Sequence, residues 1–199
     1  DGFAKAFDIT FTGRDNTVKY PHQTSWGVST RMIGAIIMAH GDDNGLILPP
    51  RIAPIQVVII PVAQHKPGVL EKAAELKAQL ESAGIRVKVD DSNNSAGWKY
   101  SEYEMKGVPV RIEVGPRDIE NGECVLVTRH NREKSVAKLD TLAEAVSAKL
   151  EEVRDGIFNK ALENREKRTY ACTTLDEITA ALNEKGDGFI KAMWCGKEE

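Results

Sequence analysis

The run IQVVIIPV, residues 55–62, is continuously apolar after its second residue and is bounded by Pro54 and Pro61. A strand with no polar face cannot lie against water on either side, so this run predicts the buried central strand of a sheet. The pattern after it is that of an α/β unit. Leu70, Ala73, Leu76, Leu80 and Ala83 recur at helical spacing, and Gly84 closes that helix. IRVKVDD (85–91) alternates as a strand. VPVRIEV (108–114) alternates so that Arg111 and Glu113 share one face while Val110, Ile112 and Val114 share the other. GECVLVTR (122–129) is a further strand, and Leu139, Leu142, Val146, Leu150, Val153 and Ile157 mark a long amphipathic helix. With a short helix near 100–106, the order is β-α-β, α, β-β-α: a compact mixed sheet with helices on it, about 100 residues long.

Upstream, 5–12 alternates as a strand, GRDNT (13–17) is a turn, and 18–26 can return as the second strand of a hairpin. The helix that follows carries IGAIIMA (33–39), which has no polar stripe and is expected to be buried on most of its faces. It stops at HGDDNG, where Gly41 and Gly45 are expected to supply cap and loop conformations. LILPPRIAP (46–54) is a proline-stiffened connection and the first domain boundary. From ENREKRTY (163–170) onward the chain reads as a polar hinge, a short strand, a helix and another strand, too little for a complete domain.

Composition narrows the setting. The 199 residues are 41% hydrophobic and 29% charged, enough for one large domain or two small ones. No run approaches the roughly 18 apolar residues of a membrane helix. Three well-separated cysteines, Cys124, Cys172 and Cys195, argue against a disulfide framework, and a cytosolic protein is expected. A net charge of −3 argues against duplex DNA held by overall charge, although a local basic patch can still hold nucleic acid. The abrupt first and last residues suggest a fragment.

Two stretches carry candidate chemistry. In QTSWGVSTR (23–31), Trp26 and Gly27 stand at a strand-to-helix junction. A helix start with free N–H groups, the hydroxyls of Ser29 and Thr30, and the Arg31 guanidinium together suit a phosphate or carboxylate. The alternative is that Ser29 is an N-cap and Arg31 pairs with an acid of the protein. In GWKYSEYEMKGVPVRIEVGPRD (97–118), Arg111 and Glu113 share a strand face, a Gly115-Pro116 turn holds Arg117 and Asp118 at the sheet edge, and Trp98 and Lys99 lie upstream. Donors and acceptors side by side near an aromatic suit single-stranded RNA, and guanine above all, whose O6 and N7 accept from Arg or Lys while N1–H and N2–H₂ donate to a carboxylate. The alternative is a solvated face with an Arg/Glu pair. The histidines show no metal-ligand spacing, and Cys195 stands without a second cysteine after it.

The stretch from QTSWGVSTRMIGAIIMAHGDDNG through LPPRIAPIQVVIIP, with the 97–118 segment and the terminal FIKAMWCG, resembles prolyl-tRNA synthetase, a class II aminoacyl-tRNA synthetase, in its motif 3 region and beyond. The STR, HGD and LPPRIAP forms are similar to the archaeal and eukaryote-like branch. The resemblance implies three parts: 1–48, the end of the antiparallel catalytic sheet with motif 3; 49–155, a mixed-sheet α/β anticodon-binding domain; and 156–199, a linker helix and an incomplete C-terminal α+β domain of the zinc type. It implies ATP, with Mg²⁺, at Arg31 and Ser29, and a proline pocket walled by Ser25, Trp26 and Gly27. It further implies that Lys99, Arg111, Glu113, Arg117 and Asp118 read the two guanines of the proline anticodon, each good bidentate contact contributing about 1–3 kcal/mol of discrimination. The implied enzyme is a cytoplasmic, homodimeric proline–tRNA ligase. This chain lacks motifs 1 and 2 and is expected to be inactive alone, with Cys195 at most part of a zinc set. A non-catalytic tRNA-binding module on the same fold is the alternative.

This reading predicts that residues 50–155 fold autonomously while 1–48 are less stable. Hydrogen exchange should show stronger protection in the former, and equal protection in both would contradict it.

Overall fold

A computed structural model describes residues 1–194 and 196. Two units, Asp1–Ala35 and Ile36–Glu199, are taken in turn.

The first unit opens on a helix, α1 (Gly2–Ala6), whose last two residues take the start of the strand predicted over 5–12. Pairs at i,i+4 explain the difference. The rings of Phe3 and Phe7 stack with centroids 6.5 Å apart, and Lys5 meets Asp1 at 2.8 Å. The predicted hairpin shrinks to β1 (Phe11–Thr12) and β2 (Val18–Lys19), closed through GRDNT by the Gly13 N–H donating to the Thr17 carbonyl at 2.8 Å. Pro21, with no N–H to give, follows the second strand almost at once.

Helix α2 (Arg31–His40) spans the predicted segment, but none of its residues is buried. Ile33 is 62% and Met38 82% exposed, contrary to the burial expected of an apolar helix. The apolar pattern shows which faces want cover, and the described residues do not supply it. At its end Gly41 serves by size and not by an unusual backbone angle: a Cβ there would lie 2.6 Å from the Ile37 carbonyl oxygen.

In the second unit, β3 (Val57–Pro61) is the central strand that the apolar run predicted, buried at every residue. The sheet order is β4-β3-β5-β6-β7, with β4 (Val87–Val89) and β5 (Val110–Val114) parallel to β3, and β6 (Glu123–Thr128) and β7 (Lys134–Lys138) antiparallel beyond. Helices α3 (Val69–Ser82) and α6 (Leu142–Lys167) cover one face. Val69, Ala73, Leu76 and Leu80 of α3 and Leu142, Val146, Val153 and Ile157 of α6 are buried with Val57, Ile59, Val110 and Ile112 in the main core. Full burial of each large aliphatic side chain stabilises the fold by about 1.5–3 kcal/mol. Helix α4 (Ala96–Met105), longer than predicted, covers only part of the other face, packing Tyr103 and Tyr100 against Val58, Ile60 and Val108.

Strand β7 was not anticipated. It is an edge strand with exposed Lys134, Val136 and Lys138, so its polar half hides the alternation, and edge lysines deter further pairing. The predicted hinge at 163–168 is instead the last turn of α6, made of strong helix formers with Lys167 and Glu163 paired at i,i+4. Beyond it β8 (Thr169–Ala171) and β9 (Phe189–Lys191) pair in parallel across α7 (Leu175–Lys185), which starts on a Thr174/Glu177 capping box. Among the described residues, no helix is long and apolar enough to cross a membrane.

Ile112→Ala should cost about 2–5 kcal/mol in urea unfolding, whereas Val136→Ala on the open face should change stability by less than about 0.5 kcal/mol. Similar losses at both would mean that the second face is covered after all.

Candidate nucleic-acid interface

The half of the sheet that α4 leaves bare is built by register. Val58, Arg111, Val127 and Lys134 stand opposite one another across β3, β5, β6 and β7, and Ile60, Glu113, Val125 and Val136 form the next row. Each row passes from apolar residues near α4 to solvent at the edge, with one charged residue of β5 in its middle.

Arg111 and Glu113 meet there as the spacing predicted. The Arg111 Nε donates to Glu113 Oε1 at 3.0 Å and a terminal nitrogen lies 2.9 Å from the same oxygen, while Lys134 Nζ is 3.7 Å from Oε2. The guanidinium also sits over the Tyr100 ring, 4.3 Å from its centroid. Burial, and after it the Glu113 charge, pushes the Tyr100 hydroxyl up from its ordinary range. The result is a flat patch of planar donor, carboxylate and ring, with Trp98 49% exposed on the neighbouring helix. Such a patch can stack one base and offer a donor and an acceptor to the edge of another.

The other predicted residues fall elsewhere. Lys99 is 2% exposed, its ammonium donating to Gln64 Oε1 at 3.0 Å and to the Asp90 carbonyl at 2.9 Å. Gln64 in turn donates to the carbonyls of Asp91 and Ser92, so Lys99 ties the β3–α3 loop to the end of β4 and does not face solvent. The Gly115-Pro116 turn is the start of α5 (Pro116–Asn121), and Asp118 accepts the Gly115 N–H at 2.7 Å as its cap. Arg117 on α5 is exposed and has no ion-pair partner among the described residues. Tyr100 and Lys134 were missed by the sequence reading. Tyr100 is recognisable only once α4 is known to lie over β5, and Lys134 only once β7 is known to exist.

Beside this patch lies a second charged group. Arg129, 5% exposed, donates two N–H groups to the two carboxylate oxygens of Asp42 at 2.9 and 2.6 Å and a third to the Glu104 carbonyl at 2.8 Å. Arg132 reaches Glu104 Oε1 at 2.6 Å and Asp42 at 3.6 Å. Two backbone bonds, from Leu46 to the Met105 carbonyl at 2.9 Å and from Leu48 to the Gly107 carbonyl at 3.3 Å, hold the 41–48 segment to the same edge. Gly45, at φ 128°, approaches so closely that a Cβ would lie 2.5 Å from the Met105 backbone.

In the first unit, Ser25, Trp26, Gly27, Ser29 and Arg31 are all exposed, Trp26 at 93%, and do not enclose a cavity among the described residues. The Ser29 hydroxyl accepts the Arg31 N–H at 3.4 Å, which agrees with a helix start, and no carboxylate among the described residues pairs with the Arg31 guanidinium. Cys195 lies outside the described residues. Cys124 and Cys172 are buried and free, and no group of three or more metal-binding side chains occurs among the described residues.

Residues 56–149 match the family of the anticodon binding domain. The chain is 60% identical over all of its 199 residues to the proline–tRNA ligase of Ruminiclostridium cellulolyticum, of which it covers 41%. It is 54% identical over 195 residues, 98% of its length, to the proline–tRNA ligase 2 of Bacillus cereus, of which it covers 40%. Among solved structures, it is similar to the prolyl-tRNA synthetase of Cryptosporidium parvum complexed with L-proline and AMP: TM-score 0.87, 38% identity, over 98% of this chain and 42% of that one. The chain thus spans about two fifths of the length of the curated relatives it matches.

The Asp42 pair gives the stability a defined acid limb. Hydrogen bonding to Arg129, aided by the Asn44 N–H and Arg132 against the opposing effect of burial, holds the Asp42 carboxyl far below its usual 3.8. A carboxyl depressed by folding stabilises the fold fully above its unfolded pKa, and that contribution fades as pH falls below about 4. Asp42→Asn, which leaves Arg129 buried without its counter-charge, should cost about 3 kcal/mol at pH 7 in urea unfolding. The gap should narrow toward pH 3; a constant gap would mean that the carboxylate charge is not its source.

Proposed function

We propose, because residues 56–149 belong to the anticodon binding domain family and the chain as a whole is similar to the C-terminal region of prolyl-tRNA synthetases, that its open sheet face reads the anticodon of a proline tRNA. The whole protein, on this reading, joins proline to that tRNA at the expense of ATP. The observation that carries the reading is the Arg111–Glu113 pair, with Arg111 stacked on Tyr100 and both side chains partly open to solvent at the margin of the face that α4 covers.

Guanine needs two donors for its O6 and N7 and an acceptor for its N1–H and N2–H₂. Arg111 supplies donors and Glu113 the acceptor, side by side on β5, each with hydrogen-bonding capacity beyond the bond they share. Trp98 offers a stacking surface and Lys134 a cation for the backbone. Arg117, exposed and unpaired among the described residues, is free to contact a second base, while Lys99 and Asp118 act one layer behind, fixing the ends of β4 and β5 from which the reading side chains project.

The first unit supports the ligase half of the reading. Arg31, unpaired at a helix start beside the Ser29 hydroxyl, has the chemistry for a nucleotide phosphate, and Ser25, Trp26 and Gly27 before it would wall the proline pocket once the rest of the enzyme covers them. Arg31 would hold and orient the triphosphate and stabilise its charge, with no proton to move. Magnesium, when bound with ATP, neutralises phosphate charge. The residues described form no zinc set, so no role is derived for that metal. The exposed apolar sides of α2 fit a segment whose cover belongs to the remaining part of a dimeric, cytoplasmic enzyme.

Binding of the chain to proline tRNA and to the same tRNA with both anticodon guanines replaced, measured across a salt series, tests the reading. Replacement should weaken binding by more than about 1 kcal/mol without altering the salt slope, and Arg111→Ala should remove that difference. Equal affinity for both RNAs would withdraw the assignment.

A further inference from the structure

Between α4 and the turn joining β6 to β7 lies a cleft of about 200 Å³ lined by Arg111, Arg129, Arg132 and Lys134 over a floor that includes Val58 and Val127. Four cations face three carboxylates. Glu113 accepts from Arg111 and lies near Lys134, Asp42 is taken by Arg129, and Glu104 is taken by Arg132. The set therefore carries an unbalanced positive charge beside an apolar floor, where charge is less screened than in open water. The two cations nearest solvent are Lys134 and Arg132, whose side chains are 62% and 49% exposed. Arg132 also holds a left-handed backbone, φ 60°, which L-residues with a Cβ rarely adopt.

We propose that this cleft is a binding site for a phosphate group, with Arg132 and Lys134 as its direct contacts and with Glu104 and Asp42 as internal anions that hold Arg132 until the ligand arrives. A backbone phosphodiester offers one charge and two free acceptor oxygens, a terminal phosphate up to two charges and three oxygens, and the tetrahedral spread of those oxygens lets either take N–H groups from both cations at once. The inference rests on the anticodon reading only for the source of the phosphate, which is either the backbone of an RNA lying on the sheet or a free nucleotide.

The test observes the Arg132 Nε–H signal of the full chain by NMR during titration with inorganic phosphate, with guanosine monophosphate and with an anticodon stem-loop, at constant ionic strength. The signal should shift saturably. Lys134→Gln, a surface change that does not threaten the fold, should weaken the response at least five-fold, and Glu104→Gln should strengthen it. A response to the stem-loop, with Lys134→Gln lowering the salt slope of its binding by about 0.7, identifies the RNA backbone as the source. A response to phosphate and the mononucleotide but not to the stem-loop identifies a free nucleotide. No saturable response to any of the three, or a response indifferent to Lys134→Gln, overturns the site. A stem-loop with its guanines replaced separates the two readings, because a backbone phosphate engages Arg132 whether or not the bases are read.

Discussion

The two-sided burial of β3 is the constraint from which the rest of the second unit follows. Val57 and Ile59 point into the main core under α3 and α6, and Val58 and Ile60 point the other way and need α4. A single short helix suffices for them because β3 has only one strand, β4, on its outer side. The strands added on the inner side, β5 to β7, gain most of their burial from the face under α6, and on their opposite face only Val127 is buried, so that face is largely released from packing duty. The uncovered patch is thus the remainder left by covering one strand with one helix.

That release explains how charged residues can occupy the middle of a sheet. Arg111 and Glu113 replace a packed layer with hydrogen bonds to each other and a stacked ring, at the boundary between Tyr100 and solvent. Because the cations nearby share carboxylates, the patch exposes only a small excess of positive charge in its resting state, and the chain's net charge of −3 gives no hint of it. Selectivity on such a surface comes from exchanging internal pairs for pairs with a ligand. Partners that match the donors and acceptors in place gain from the exchange, whereas a generic polyanion, matching charge alone, also meets the carboxylates and gains less.

How much of this could be read beforehand depends on which residues carried a periodic signal. β3, α3, β5 and the first half of α6 were legible because Val57 to Ile60, the Ala73–Leu76–Leu80 series and the Val110–Ile112–Val114 alternation each have one dominant period. β7 was not, because Ser135 and Ala137 are too small to mark an inward face between lysines. The same limit applies to the site. Arg111 and Glu113 were placed on one face by parity alone, but parity says nothing about which helix covers a face, so Lys99 was grouped with them although it is buried behind the loop it anchors. Likewise the apolar run of α2 reports a demand for cover and not its presence, and Asp118 reads equally as a ligand contact or a cap until α5 is seen to begin beside it.

The close fit between the 41–48 segment and the turn after α4 bears on how this architecture can be moved between proteins. A Cβ at Gly107 would meet Leu46 at 2.6 Å, and one at Gly45 would meet Met105, so each side of the contact is shaped to the other at glycines that tolerate no side chain. Asp42 then supplies the counter-charge for an arginine that β6 keeps almost out of water. A graft starting at the first sheet strand would carry one half of this joint and leave behind the other. A piece that begins before residue 42 keeps both halves of the joint, including the Asp42 counter-charge, together in one unit.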